Sequence, residues 1–244
     1  MGKLLKLELR VMFRQKGFYI CMAVSLLLMF LNYQALYIID SIKGYDSIMG
    51  IRSAVNRSSL SLILGIMVSI ITCNDFTNNT IKNIYSKGYS RTVVYFTKYI
   101  SSLLGTLIYV MAIMTFGFAL GLYFTEELGT LSSLEFSAIL SQIIVIIAMH
   151  SLYYAMAFII RKTGGAVAAS IFVPLLFSTF FLMADVLIKD KDFLLSKYWI
   201  DNILSSLTYS DISWSSVSNG FIFGTVYIVI FLLSGYGLQN LKWD

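Results

Sequence analysis

Residues 74–99 read NDFTNNTIKNIYSKGYSRTVVYFTKY, and they lie between two long apolar runs. The stretch contains four basic residues and one acidic residue, which gives it a net charge of +3. A segment this charged is excluded from the hydrocarbon core of a bilayer, and basic connections between spans are found on the cytosolic side. The stretch therefore predicts a cytosolic connection between two membrane spans.

The composition favours a membrane protein. Of the 244 residues, 58% are hydrophobic and only 13% are charged, which is too few to cover the surface of a soluble domain. The apolar runs are continuous, whereas the strands of a membrane β-barrel are short and alternate between apolar and polar residues. We therefore predict an all-α polytopic membrane protein with a single membrane domain over residues 1–244.

Six apolar runs are long enough to cross a bilayer, by the rule of about 17–25 residues per span. With the N-terminus inside, the cytosolic segments hold 12 of the 18 basic residues and only 3 of the 13 acidic residues. This asymmetry predicts that both termini face the cytosol. It also accounts for the net charge of +5, so no nucleic-acid partner is expected. The predicted spans are about 18–39, 58–74, 99–124, 136–160, 163–188 and 219–239.

Two segments outside the spans have helical periodicity. Residues 3–14 have a basic face and an apolar face, which predicts an amphipathic helix on the cytosolic leaflet; a solvated basic tail is the alternative. Residues 189–218 predict short external helices between the fifth and sixth spans, with an amphipathic one at the outer interface. The basic positions of the first are Lys3, Lys6, Arg10 and Arg14, and its apolar positions are Leu5, Leu9 and Met12. The apolar positions of the second are Leu195, Trp199, Ile203 and Leu207.

The basic connection between the second and third spans also has helical spacing. We predict a short helix over about 76–87, capped by Asp75 or Thr77 and ended at Gly88. Its apolar face needs a surface to bury against. That face consists of Ile81, Ile84 and Tyr85.

Small residues four apart in the third and fifth spans predict close helix packing. Pro174 lies in the middle of the fifth span and is expected to kink it. The small pairs are Gly117 with Gly121, Gly164 with Ala168, and Gly165 with Ala169.

No catalytic motif is present in the sequence. A search for the phosphate-binding G-x-x-x-x-G-K-[ST] loop, and for H-E-x-x-H, C-x-x-C and G-x-S-x-G, finds none of them. The chain has one histidine and two cysteines, and Cys21 and Cys73 both lie near cytosolic ends of spans. Neither a metal site, nor a disulfide, nor a cofactor is expected in this chain.

A few polar residues lie within predicted spans. His150 is either a functional ionisable group or a neutral imidazole that hydrogen-bonds a neighbouring helix. Asn32 and Gln34 either link helices or line a pore. Apart from Asp185, which we place at the outer interface, the acidic residues lie in loops or at span ends. Because proton- and sodium-coupled carriers use carboxylates near the midplane, any energy source is expected to lie outside the chain.

The chain resembles the permease subunits of ABC-2 type (type V-like) ATP-binding-cassette exporters, including those of lantibiotic immunity and amphipathic-peptide export. The resemblance covers the whole length and rests mainly on the second connection. There, Asp75-Phe76, Asn79-Thr80 and Ser90-Arg91 match the family pattern, followed by Lys98. Asp75 stands where glutamate is more usual, and Asn79 where glycine is usual.

The resemblance implies that the second connection is a coupling helix that docks on a separate ATPase subunit, which binds ATP and Mg²⁺. Two permease chains, identical or different, would pair in a bacterial cell membrane with two ATPase copies. The cargo would be an amphipathic or antimicrobial peptide, with drugs or lipids as the alternative. The coupling residues would be Asp75, Phe76, Thr80, Ile81, Ile84, Tyr85, Lys87 and Arg91. A polytopic membrane enzyme with unrecognised chemistry, and a scaffold or channel, are the competing hypotheses.

Overall fold

The computed structural model describes residues 2–39, 46–57, 59–188, 194–208 and 212–241. All regular structure in these ranges is helical, and ten α-helices and one short 3-10 helix form there. The α-helices are α1 Gly2–Arg14, α2 Lys16–Ile38, α3 Ser47–Arg57, α4 Leu60–Thr77, α5 Thr80–Ser86, α6 Arg91–Thr125, α7 Ser133–Ile160, α8 Thr163–Ile188, α9 Ile200–Ser206 and α10 Trp214–Leu241. The 3-10 helix is Leu195–Tyr198.

The six predicted spans are confirmed as six helices that are long and apolar enough to cross a membrane, namely α2, α4, α6, α7, α8 and α10. The bounds of α8 match the predicted 163–188, and the other five helices differ from the prediction at one or both ends. α10 begins at Trp214 instead of 219, and α4 continues to Thr77 instead of 74. Residue 58, the predicted start of the second span, lies outside the described residues.

α6 is the longest helix and begins eight residues before the predicted third span. Its 35 residues correspond to about 52 Å, well beyond the roughly 30 Å of a hydrocarbon core. Ser90 caps its start, because its hydroxyl accepts a hydrogen bond from the Val93 N–H at 3.4 Å. The first two turns of α6 therefore extend past the apolar run and hold Val94, Tyr95 and Lys98 in buried positions.

α4 and α7 form the centre of the bundle, and most residues of α4 and half of those of α7 are buried. Buried tyrosines tie the helices together: the Tyr154 hydroxyl donates to the Tyr95 carbonyl at 2.6 Å, and the Tyr95 hydroxyl donates to the Leu232 carbonyl at 3.1 Å. α2, α8 and α10 surround this centre and leave most of their apolar surface exposed. This is the arrangement expected for helices that face lipid.

The helix α3 was not predicted, because its segment is short and carries two arginines. It packs along the far end of α6 through small residues on both helices. A Cβ added at Gly117 would lie 2.6 Å from the Ala54 Cβ and 2.7 Å from the Gly50 carbonyl oxygen. One added at Gly121 would lie 2.9 Å from the Ser47 Cα. The close packing predicted for Gly117 and Gly121 is confirmed, and its partner is α3.

In α8 the prediction of small residues at a helix interface was wrong in register. Gly164 is exposed, and a Cβ there would meet no atom within 4 Å. The buried small residues are instead Ala166 and Ser170. Gly65 of α4 lies against Ser170, where an added Cβ would be 2.8 Å from the Ser170 Cβ. The glycines of α8 therefore lie in its first turn. The small pair that packs on α4 is Ala166 with Ser170.

The described part of the 189–218 segment forms short helices before α10, as predicted, namely the 3-10 helix and α9; residues 189–193 and 209–211 lie outside the described ranges. Trp199, Ile203 and Leu207 are buried against the bundle. Trp199 stacks on Phe177 and Phe181 of α8, at 5.4 and 5.3 Å between ring centroids. The four-residue spacing thus marks a face that packs on the spans.

Candidate functional site at the junction of α1, α5 and α6

A buried lysine joins three elements at the end of the bundle where α1 and α5 lie. Lys98 of α6 is only 3% exposed, and its Nζ is 3.0 Å from Glu8 Oε2 of α1. The same ammonium forms an ion pair with Asp75 in the last turn of α4. The three side chains form a buried triad with a net charge of −1. Such a group is stable only while every member keeps its partners.

The triad also holds α5. The Thr80 hydroxyl donates a hydrogen bond to Asp75 Oδ1 at 2.6 Å, so the first residue of α5 is tied to the end of α4. Asp75 thus accepts from both Thr80 and Lys98. Glu8 is also buried. Its burial raises the pKa of its carboxyl, while the positive charge of Lys98 opposes that rise.

Replacing Thr80 with valine is expected to destabilise the protein by about 1–2 kcal/mol, because Asp75 loses a hydrogen bond that valine cannot make. Unfolding by SDS in mixed micelles would measure the change. The matched control is Thr115→Val, because the Thr115 hydroxyl bonds only a carbonyl of its own helix, that of Met111. Equal losses in both variants would contradict the role assigned to Thr80.

The apolar face of α5 packs inside this chain. Ile81 and Ile84 are 5% and 8% exposed and form a cluster with Leu4 of α1 and Val94 of α6. The family resemblance implied that Ile81, Ile84 and Tyr85 would contact a separate subunit. For the two isoleucines the structure corrects this, because α1 and α6 already cover them. Tyr85 is half-buried at the edge of the same cluster.

The helix of the second connection is also shorter than predicted. It runs over Thr80–Ser86, because residues 74–77 continue α4. Asp75 and Thr77 are therefore not caps of α5: the Thr77 hydroxyl donates to the Cys73 carbonyl of its own helix. The reversal occurs at Asn79, which has a positive φ of 57°. Gly88, predicted to stop the helix, follows it with a φ of 83°, a conformation that favours glycine.

The exposed side of the connection is basic. Lys82 of α5, Lys87 directly after α5 and Arg91 at the start of α6 are all exposed. Between them, the other exposed residues are polar or glycine. A cleft of about 390 Å³ separates α1 from α5. Its lining includes exposed Lys3 and Lys87 as well as the buried Glu8 and Ile84.

Phe76 connects this site to the turn between α7 and α8. Its ring meets the edge of Phe158 at 5.1 Å between centroids. The Arg161 guanidinium lies over the same ring, 5.8 Å from its centroid, in cation–π geometry. Thr77 and Thr163 share a hydrogen bond of 3.0 Å next to it. A displacement of the α4–α5 corner would therefore reach α7 and α8 as well as α6.

The remaining polar candidates lie elsewhere. His150 is fully buried, with Nδ1 2.8 Å from Thr106 Oγ1 and Nε2 3.2 Å from Ser102 Oγ of α6. One ring nitrogen donates and the other accepts, so both are occupied in a link between α6 and α7. Asn32 is exposed and donates to the Leu28 carbonyl of its own helix at 2.9 Å, and Gln34 is half-buried. The structure does not bring these three residues together.

Two members of the triad were missed as site residues. Glu8 was counted only as a cytosolic charge, and Lys98 only as a basic residue before the third span. One signal for Glu8 was available: it is the single acidic residue among the basic residues of the N-terminal helix. Its pairing with a lysine 90 positions away required the fold.

Comparison with known proteins finds no match to this chain among family models, curated proteins or solved structures.

Proposed function

We propose that this chain is the transmembrane permease subunit of an ATP-driven exporter and that α5 couples it to a separate ATPase. One observation carries the proposal. The connection between α4 and α6 exposes a basic surface, while its other side is fixed to α1, α4 and α6 by a buried ion triad and an apolar cluster. Because α5 is held in this way, a displacement of its exposed side is transmitted to the spans without prior deformation of the helix.

The proposed docking surface consists of Lys82, Lys87 and Arg91. Clusters of like charge at a protein interface steer association with a surface of opposite charge. The partner is therefore expected to present an acidic groove to α5. In this proposal the end of the bundle with α1 and α5 faces the cytosol of a bacterial cell, and α1 lies on the inner leaflet.

The mechanism that follows is a rigid-body switch. ATP and Mg²⁺ bind in the partner, and closure of two ATPase copies displaces the two α5 helices of a permease dimer. Asp75 and Phe76 lie in the last turn of α4, and Lys98 lies near the start of α6. Both spans therefore move together with α5. Rocking of packed helices opens the path for cargo. An amphipathic or antimicrobial peptide is the proposed cargo.

The test is purification of the tagged chain from its native host in mild detergent, followed by a search for a co-purifying ATPase. Neutralising Lys82 of α5 and the following Lys87, as Lys82→Gln with Lys87→Gln, is expected to slow association roughly tenfold at low salt while the permease still folds. Isolation of the unmodified chain without any ATPase would contradict the proposal.

A matched control removes the same charge from another exposed part of this end. Lys6→Gln with Arg10→Gln changes two exposed basic residues of α1. We expect this pair to affect ATPase association less than the Lys82 and Lys87 pair. Ile84→Asp is a poor probe of docking, because it introduces a carboxylate into a buried cluster next to Leu4 and Val94.

A further inference from the structure

A second candidate site lies at the opposite end of the bundle, between α4, α7, α8 and α9. A groove of about 340 Å³ there adjoins another of about 270 Å³, and Ser61, Leu62 and Asp201 line both. Hydroxyl groups predominate among the polar atoms of the larger groove. They belong to Ser61, Tyr153, Ser170, Ser178 and Thr179.

A chain of hydrogen bonds ends on the Asp201 carboxylate. Ser61 Oγ donates to Asp201 Oδ1 at 3.0 Å and lies 3.4 Å from the Tyr153 hydroxyl. Because the serine proton is used for Asp201, Tyr153 is the donor to Ser61. Both hydroxyl protons thus point toward the carboxylate. The carboxylate is the negatively charged group at the end of the groove.

Asp201 has no cationic partner in the part of the chain that the structure describes. The ion pairs found there join Arg52 to Glu135 and Lys98 to Glu8 and Asp75. Burial raises the pKa of the Asp201 carboxyl, and the side-chain donors of Ser61 and Trp199 oppose that rise. A partly buried carboxylate that has side-chain hydrogen-bond donors but no cationic partner in the described residues is suited to receive a positive charge.

Pro174 adds a further acceptor. Proline has no N–H, so the carbonyl of Ser170, four residues earlier, lacks its usual helical donor. Both residues line the groove. A ligand with several N–H donors would find carboxylate and hydroxyl oxygens in one cavity, and this carbonyl belongs to a residue of its wall.

The rest of the wall is apolar and continues onto the outer surface of the bundle. Leu62 and Leu175 line the groove and are 47% and 59% exposed. Ile171, which also lines the groove, is half-buried. An apolar chain attached to the cationic group would therefore lie along these residues and reach the lipid-facing side of α4 and α8.

We propose that this groove binds the primary ammonium group of an amphiphile, with the ammonium at Asp201 and the apolar part against Leu62 and Leu175. A lysine-rich amphipathic peptide and a small alkylammonium compound share this chemistry. That the bound amphiphile is cargo rests on the proposed exporter function. The binding site itself does not, because it needs no ATPase.

The experiment uses the full-length chain, without any ATPase, in nanodiscs of zwitterionic phosphatidylcholine. Radiolabelled dodecylammonium is the probe, and Asp201→Asn is expected to weaken its binding at least roughly tenfold. The control Glu127→Gln removes an exposed carboxylate and should bind as the unmodified chain does, which also corrects for partition into lipid. Unchanged binding by Asp201→Asn would overturn the proposal, as would equal competition by dodecanol.

A second pair of variants decides the question if Asp201→Asn fails to fold. Ser178→Lys introduces an ammonium into the groove and is expected to abolish probe binding, whereas Ser178→Gln is expected to retain most of it. Equal binding by the two would refute the site. Competition by a lysine-rich amphipathic peptide identifies a peptide source for the ammonium, and competition by short alkylammonium ions alone identifies a small-molecule source. Loss of ATPase association with probe binding intact would refute only the exporter function.

Discussion

Replacing Lys98 with methionine is expected to destabilise the protein by about 3–5 kcal/mol, the usual cost of removing one partner from a buried ion pair. The variant leaves Glu8 and Asp75 facing each other without the ammonium that neutralises them. Methionine keeps most of the side-chain volume, so the loss reports on charge rather than on a cavity. SDS-induced unfolding in mixed micelles measures it, with exposed Lys87→Met as the control.

The loss should depend on pH. Burial already raises the pKa of Glu8, and removing the opposing charge of Lys98 raises it further. A carboxyl whose pKa is raised on folding contributes stability that is present below its ordinary value near 4.5 and is lost as the pH rises through the raised value. The deficit of the variant should therefore be largest near pH 8 and shrink toward pH 5.

A compensating variant separates charge from packing. Combining Lys98→Met with Glu8→Gln and Asp75→Asn removes every charge of the triad and keeps an acceptor for Thr80. Neutral replacements of a buried charge triad are often tolerated, so most of the lost stability should return. A triple variant no more stable than Lys98→Met, together with a pH-independent deficit, would show that the triad is not held by its charges.

Much of the fold was predictable because the span signal is local. Each of the six spans is a continuous apolar run, and its length is set by membrane thickness, which no distant contact changes. The ends were less predictable. The sequence placed the start of the third span at residue 99, but a cap at Ser90 and the packing of Val94 and Tyr95 extend the helix to Arg91.

The site was only partly predictable, because its chemistry depends on which side of α5 is covered. Helical spacing correctly indicated that Ile81 and Ile84 share a face, but not that α1 and α6 would bury it. Likewise, opposite charges at Glu8 and Lys98 are visible in the sequence, and their pairing depends on how α1 folds back on α6. The same helical spacing also predicts the polar side of α5. The basic surface was therefore predictable from the sequence, although the apolar side of α5 was assigned to a contact with another subunit.

The second large effect is expected at Gly117, where α3 crosses α6. Gly117→Leu should destabilise the protein by about 3 kcal/mol or more, because the first added carbon would already lie 2.6 Å from the Ala54 Cβ. The neighbouring atom on the other side is the Gly50 carbonyl oxygen, which belongs to the backbone and has no rotamer to change. α3 must therefore move away from α6. The loss of stability is expected to appear as faster hydrogen exchange of the backbone amides in residues 47–57.

The matched control is Gly164→Leu, the same substitution at a helical glycine where an added Cβ meets no atom within 4 Å. Glycine is a poor helix former, so this variant should be as stable as the unmodified chain or slightly more so. A large loss at Gly164, or none at Gly117, would contradict the packing of α3. Because Gln142 donates to the carbonyls of both Arg52 and Leu207, displacement of α3 should also loosen the end of α9. Exchange in residues 200–207 should then rise in Gly117→Leu and stay unchanged in Gly164→Leu.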